Sequence, residues 1–326
     1  MTTATQVPVT TDMSGDELDA EDAWHTVRRH GLAHLAVSSF LRFRYGDGFT
    51  NSRALALQMA LGVVPFLLAM TGLAAGLDAK QETRVLARTI AALTPGSREN
   101  DMLSSALASG KAAEESGEIA LVLGLLFAVL SMVTAVGQVE RGCNRIYGIP
   151  RDRPAPWKYG RAVVMTLVLA LPIASGFALL VAGGPFGDAM QDVYGWSDTT
   201  DRVWDVVRWP LGLAVTTFTI AVLLDHAPRR RQPGLSWLGL GSAVSVALTM
   251  VASALLGIYV QYSASFGSVY GPLAGVMALL IWTYLTSIAF FFGAAMAAQL
   301  EALRGRVTEP TTGDPGPTRQ TASRGD

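Results

Sequence analysis

Hydrophobic and polar positions alternate along this chain in blocks rather than in turns of a helix. Six long stretches are apolar and free of Asp, Glu, Lys and Arg: 54–77, 119–138, 162–184, 209–224, 237–260 and 273–299. A helix needs about 20 apolar residues to cross a 30 Å hydrocarbon core, so five of the six are long enough as they stand. The fourth, 209–224, reaches that length when Val206 and Val207 extend it past Arg208, whose long side chain can snorkel. The pattern predicts an all-α fold, a polytopic membrane helix bundle of six transmembrane helices. Residues 1–24 hold no Lys or Arg and no apolar core, so no removable signal peptide is expected.

Between the blocks, the distribution of Lys and Arg sets an orientation. Segments 1–53, 139–161, 225–236 and the tail after Gln299 carry 18 basic residues, whereas 78–118, 185–208 and 261–272 carry 7. Both termini are therefore expected in the cytoplasm, as an even number of spans requires. The expected organisation is a disordered tail over 1–22, a cytoplasmic amphipathic helix within 23–53, a six-span membrane domain over 54–300 and a disordered cytoplasmic tail over 301–326. Within 23–53, apolar residues at Leu32, Leu35, Ala36, Phe40 and Phe43 suit a helix over 24–45. It could lie on the membrane face with Arg42 and Arg44 near headgroups, or pack against the bundle end. The outer segment 78–118 reads as a helical hairpin broken at Thr94-Pro95-Gly96.

Polar positions inside the blocks suggest how the helices meet. Gly124, Ala128, Ser131, Ala135 and Gln138 share one stripe of the second span, and Ser242, Ser245, Thr249 and Ser253 share one of the fifth. The sixth adds Thr283, Ser287 and Gly293, and the first contributes Gln58. Pro65 and Pro172 interrupt the first and third spans. Small and polar residues bring membrane helices together, and interrupted helices mark binding sites in some transporters. Spacing alone leaves both a wet path and a dry seam open.

Composition narrows the chemistry. Of 326 residues, 50% are hydrophobic and 16% charged, with mean hydropathy +0.35 and net charge −1. That balance is foreign to an ordinary soluble enzyme, and it gives no electrostatic footprint for nucleic acid. Cys143 is the single cysteine, which excludes an intrachain disulfide. His30 and His34 stand four apart, yet no Glu or Cys nearby completes a metal set. No phosphate loop or dinucleotide fingerprint is present. No cofactor, metal or catalytic residue is expected. The basic segments predict anionic lipid headgroups as partners, each basic residue near an anionic leaflet being worth about 1 kcal/mol. A homo-oligomer stays open.

Three motifs carry a resemblance. Asp47-Gly48-Phe49 leads into an alanine-rich start and Val63-Val64-Pro65-Phe66. Asn144-Arg145-Ile146-Tyr147-Gly148 follows the second span. Tyr270-Gly271-Pro272, then Trp282-Thr283-Tyr284-Leu285, then Gly293-Ala294 close the chain's apolar part. In order and spacing these resemble the YihY/BrkB family over about 45–300. The family often has Glu where Ala295 stands and Ser where Gly62 stands. The resemblance implies a six-span inner-membrane protein of unsettled activity, some of whose members bear ribonuclease-like or virulence labels. Phosphodiester hydrolysis wants clustered metal ligands or an acid–base pair, and this chain offers neither in one place. The expected function is transport or envelope maintenance involving an uncharged or amphiphilic molecule. A membrane scaffold binding lipids or partner proteins is the alternative, and a membrane ribonuclease the remote one. An arginine count of 22 against 3 lysines points to a bacterial source and its plasma membrane.

Overall fold

The computed structural model describes residues 4–10, 19–75, 112–262, 273–305 and 311–313. Most of the hairpin expected over 78–118 lies outside these residues, as do Tyr270 and Gly271 and most of both expected tails.

Chain order among the described residues is β1 (Ala4–Gln6), α1 (Ala20–His30), α2 (Leu32–Tyr45), α3 (Gly48–Ala75), α4 (Ala112–Ile146), α5 (Ala155–Leu180), α6 (Gly183–Tyr194), α7 (Asp198–His226), α8 (Leu235–Tyr262), α9 (Ala274–Arg304) and β2 (Thr311–Gly313). Strand β1 pairs antiparallel with β2, Thr5 opposite Thr312, which places strand where a disordered tail was expected.

The helix expected over 24–45 is two helices. Asp19 caps α1 by accepting from the amides of Glu21 and Asp22, and Arg28, Arg29 and His30 suit its C-terminal dipole. Gly31, with φ 84°, then turns the chain into α2. Leu35 and Phe43 of α2 are buried in the core and α2 packs against α9, so one face lies on the bundle end. Its other face presents Leu32, Val37 and Phe40.

Five helices, α4, α5, α7, α8 and α9, are long and apolar enough to cross a membrane. With the 28-residue α3 they form a closed ring: α3 against α4, α4 against α5, α5 against α7, α7 against α8, α8 against α9, and α9 back against α3. The stretch expected as an outer connection, 185–208, is largely helical: α6 runs through it to Tyr194, and α7 begins at Asp198, leaving Pro210 inside that helix.

Burial is concentrated at one end of the ring. In α8 the buried residues run from Trp237 to Val246, whereas from Ala254 to Tyr262 every residue except Leu256 is exposed. In α9 they run from Thr283 onward, and Gly293–Ala302 is buried on every face. The N-terminal helices, the end of α4 and the end of α9 share this packed end, with Arg304 paired to Asp22 at 2.8 Å.

Candidate functional site

The polar stripes become helix seams. Where α3 meets α4, Gln138 donates to Asn51 at 3.0 Å and Thr134 to Gln58 at 2.6 Å. Ser131 stands opposite Gly62, and a Cβ on Gly124 would lie 2.9 Å from the Pro65 carbonyl oxygen. Where α8 meets α9, a Cβ on Gly241 would lie 2.6 Å from the Gly293 carbonyl oxygen, and one on Gly293 would overlap Ser245 Oγ. Such backbone approach is what small residues permit between membrane helices. Ser242 and Ser245 donate to carbonyls one turn back, Ser245 also facing the Phe290 carbonyl, and Thr283 and Ser287 likewise bond within α9. All four are fully buried. Further along the same seam Trp282 donates to Ser253 at 2.9 Å, while Thr249 is half-buried. Pro172 sits inside α5, whose Phe177 meets Phe66 of α3, the neighbour of Pro65, edge to face at 5.9 Å.

At the packed end, a charged network replaces the apolar core. Arg42 of α2 is fully buried, donating through Nε to Gln299 Oε1 at 2.9 Å and through Nη1 to the Ile146 carbonyl at 3.1 Å. The second contact sits at the C-terminus of α4, whose dipole favours a cation. Of the two placements open for this stretch, Arg42 takes the one packed against the bundle end. Burial pushes its pKa down to about 10, which leaves it charged at neutral pH. Arg230, from the 227–234 connection, pairs with Glu301 at 2.5 Å, both side chains almost wholly enclosed. Its guanidinium lies over the Tyr147 ring, 4.9 Å from the centroid.

A second layer ties the two connections on this side together. Asn144 accepts from the Arg229 amide at 2.8 Å and donates to Asp152 at 2.9 Å. Arg153 pairs with Glu140 at 2.9 Å and donates to the Ala227 and Pro228 carbonyls, capping α7. Lys158 reaches Asp152 at 3.2 Å. Burial alone would raise the Asp152 pKa, but the Asn144 amide and Lys158 outweigh it and hold the carboxyl below its usual range. Tyr147 is fully buried, and loss of solvent pushes its phenol well above its usual range.

The motif residues divide accordingly. Asn144, Tyr147 and Gly148 belong to this end, Gly148 with φ 76°, whereas Arg145 is exposed. Asp47, also at positive φ, caps α3 through its carbonyl, which accepts from Asn51. Trp282 and Gly293 serve the α8–α9 seam, and Tyr284 is half-buried beside it. His30 turns its Nδ1 to the Thr26 carbonyl and His34 is exposed, so the pair does not converge. Among the described residues no three His, Cys, Asp or Glu side chains gather as metal ligands would. Arg42, Arg230, Gln299 and Glu301 carried no motif signal. Their sequence marks were slight: Arg42 lay on the expected 24–45 helix, Arg230 in a basic run after the fourth stretch, and Gln299 and Glu301 at the end of the sixth.

Among known proteins the chain is similar to the ribonuclease-like protein YfkH of Bacillus subtilis, 24% identical over 80% of this chain and 93% of YfkH. It is similar to a UPF0761 membrane protein of Chromohalobacter salexigens, 25% identical over 85% of this chain and 64% of that protein. A UPF0761 membrane protein of Idiomarina loihiensis is 24% identical over 59% of this chain, again covering 64% of its own length. The chain thus spans less than two thirds of these UPF0761 relatives. No solved structure matches. The family model for virulence factor BrkB matches residues 39–317, and the chain belongs to that membrane-protein family.

Proposed function

We propose that this chain is a six-span protein of a bacterial plasma membrane, both termini cytoplasmic, that handles an uncharged or amphiphilic molecule in transport or envelope maintenance. The observation that carries this reading is the asymmetry of the helix ring, which is tightly sealed where the charged network lies and accessible in its other half. The α3 helix supplies the sixth span, since it is a full member of the ring. The basic connections lie at the sealed end, which supports its assignment to the cytoplasm. The accessible half of α8 exposes Val251, Leu255, Ile258 and Tyr259, side chains suited to an acyl chain rather than an ion. In this reading the chain is not an enzyme, and YfkH's ribonuclease-like name stays with YfkH.

Reconstitution of the full chain in liposomes with a fluorescent phospholipid tests this. An impermeant quencher should bleach more than the outer-leaflet share of dye when the protein is present. Bleaching equal to that of protein-free vesicles, for anionic, zwitterionic and neutral lipids alike, would remove the transport reading. A second reading then leads, a membrane scaffold binding lipids or partners, and the hydrogen-bonded seams favour it. The exposed apolar face of α1 and α2, with Trp24, Leu32, Val37 and Phe40, suits an anionic membrane surface in either case.

A further inference from the structure

The network at the sealed end has more positive charge and more donors than its own groups satisfy. Arg42 and Arg230 bring two guanidiniums, and Glu301 answers Arg230. Among the described residues Arg42 has no carboxylate at ion-pair distance; a carboxamide and a helix-terminal carbonyl partly offset its charge. An uncompensated buried charge is costly enough that proteins rarely retain one without a reason. Around it, Arg42 Nη2 is buried with no acceptor, and the Tyr147 hydroxyl and the Gln232 carboxamide have only each other. Arg42 and Tyr147 are fully buried, so solvent does not satisfy them. A buried guanidinium nitrogen without a partner is uncommon, and this one stands beside a second guanidinium.

The segment 7–10 lies across this cluster and touches it with oxygens. The Pro8 carbonyl accepts from Arg42 Nη1 at 3.4 Å, the Thr10 carbonyl from Arg230 Nη1 at 3.4 Å, and the Thr10 hydroxyl also meets Arg230 Nη1. Three oxygens thus stand on two guanidiniums, an arrangement that a tetrahedral oxyanion would reproduce with charge-assisted bonds. Gly148 lets the segment in: a Cβ there would lie 2.6 Å from the Val7 carbonyl oxygen and 2.8 Å from that of Pro8. We propose that Arg42 and Arg230, with Tyr147 and Gln232, form a phosphate-binding site. In this structure residues 7–10 hold it closed by standing their own oxygens on the arginines. A carboxylate has too few oxygens for these donors, whereas a phosphate has three or four and carries the charge the site lacks. The phosphate belongs either to a lipid headgroup or to a free phosphate compound. This inference does not rest on the transport reading.

The test is thermal unfolding of the purified full chain with inorganic phosphate, a soluble phosphomonoester, or phosphatidic acid vesicles. Chloride at equal ionic strength and phosphatidylcholine vesicles serve as controls. Phosphate ligands should raise Tm where the controls do not. A response to the soluble ligands identifies a free phosphate compound, and a response to phosphatidic acid alone identifies a headgroup. Tyr147→Phe keeps the shape and deletes one donor. It should weaken apparent phosphate affinity about tenfold. Gly148→Ala, which displaces residues 7–10, should bind phosphate more tightly than the parent. Equal shifts with chloride, no shift with any phosphate ligand, or unchanged phosphate affinity in Tyr147→Phe would each overturn the proposal.

Discussion

Replacing Gly241 by Ala probes the seam on which the ring's packed end depends. The new methyl would stand 2.6 Å from the Gly293 carbonyl oxygen and 3.0 Å from Ala297 Cβ. The first neighbour is backbone and the second is a Cβ, so no rotamer change relieves the overlap, and α8 must part from α9. Overpacking of this kind costs about 1–3 kcal/mol. Against it stands the ordinary gain of about 1 kcal/mol for Ala over Gly within a helix. Gly239→Ala isolates that gain, because a Cβ there meets nothing within 4 Å. The two variants lie two residues apart on one helix and share the helix gain, so they should differ by the overpacking cost, about 1–3 kcal/mol, on the order of 3–10 °C in Tm. Thermal unfolding in mild detergent, followed by tryptophan fluorescence, reads this directly. Gly239→Ala should melt with the parent or above it, and Gly241→Ala clearly below. If the two melt together, the close approach of α8 and α9 is wrong.

Other perturbations address the charged network. Glu301→Gln strands the enclosed Arg230 charge and should cost about 3–5 kcal/mol, while combining it with Arg230→Gln should recover part of the loss; Tm and folded yield of the variants decide this. Asp152 has a depressed carboxyl pKa, so its contribution is complete above its ordinary value of 3.8 and is lost as pH falls through the lower folded value. Asp152→Asn should remove that acid-side step from a Tm-versus-pH curve while leaving the shape near neutrality unchanged. Trp282→Phe deletes the hydrogen bond to Ser253 and should lower stability by about 1 kcal/mol, with Ser253→Ala giving no further loss in the Trp282→Phe background. Gly148→Ala should speed amide exchange in residues 7–10, whose carbonyls are the nearest atoms its Cβ would meet, without changing exchange in α8 and α9, since the strain at φ 76° is local to the end of α4.

The apolar blocks were legible because hydropathy reports directly on the solvent a helix meets, and 119–138 and 237–260 lie within α4 and α8, both long and apolar enough to cross a membrane. The stripes were legible as faces but not as seams. Spacing puts Ser131 and Gln138 on one side of α4, and only the fold reveals that side to be covered by Gly62 and Asn51 of α3. The sealed end was illegible for a different reason. Arg42, Tyr147, Arg230 and Glu301 are separated by about 70 to 105 residues at each step, and a basic residue beside an apolar stretch reads equally well as a headgroup contact. What distinguishes Arg42 is enclosure by three other segments, a property of the assembled ring. The break at Gly31 had a signal, a glycine followed by a fresh apolar run, and every apolar position assigned to the expected helix, from Leu32 to Phe43, lies after it.

The central claim is that the ring is closed at the charged end and reachable from the other. Cysteine scanning of α8 tests it most directly, in a Cys143→Ala background, with an impermeant thiol reagent applied to each side of intact membranes. The account predicts that cysteines at 242 and 245 stay protected from both sides. Along 254–262 at least one helical stripe should label from the side opposite the basic connections. Labelling at 242 or 245, or protection throughout 254–262, would contradict it.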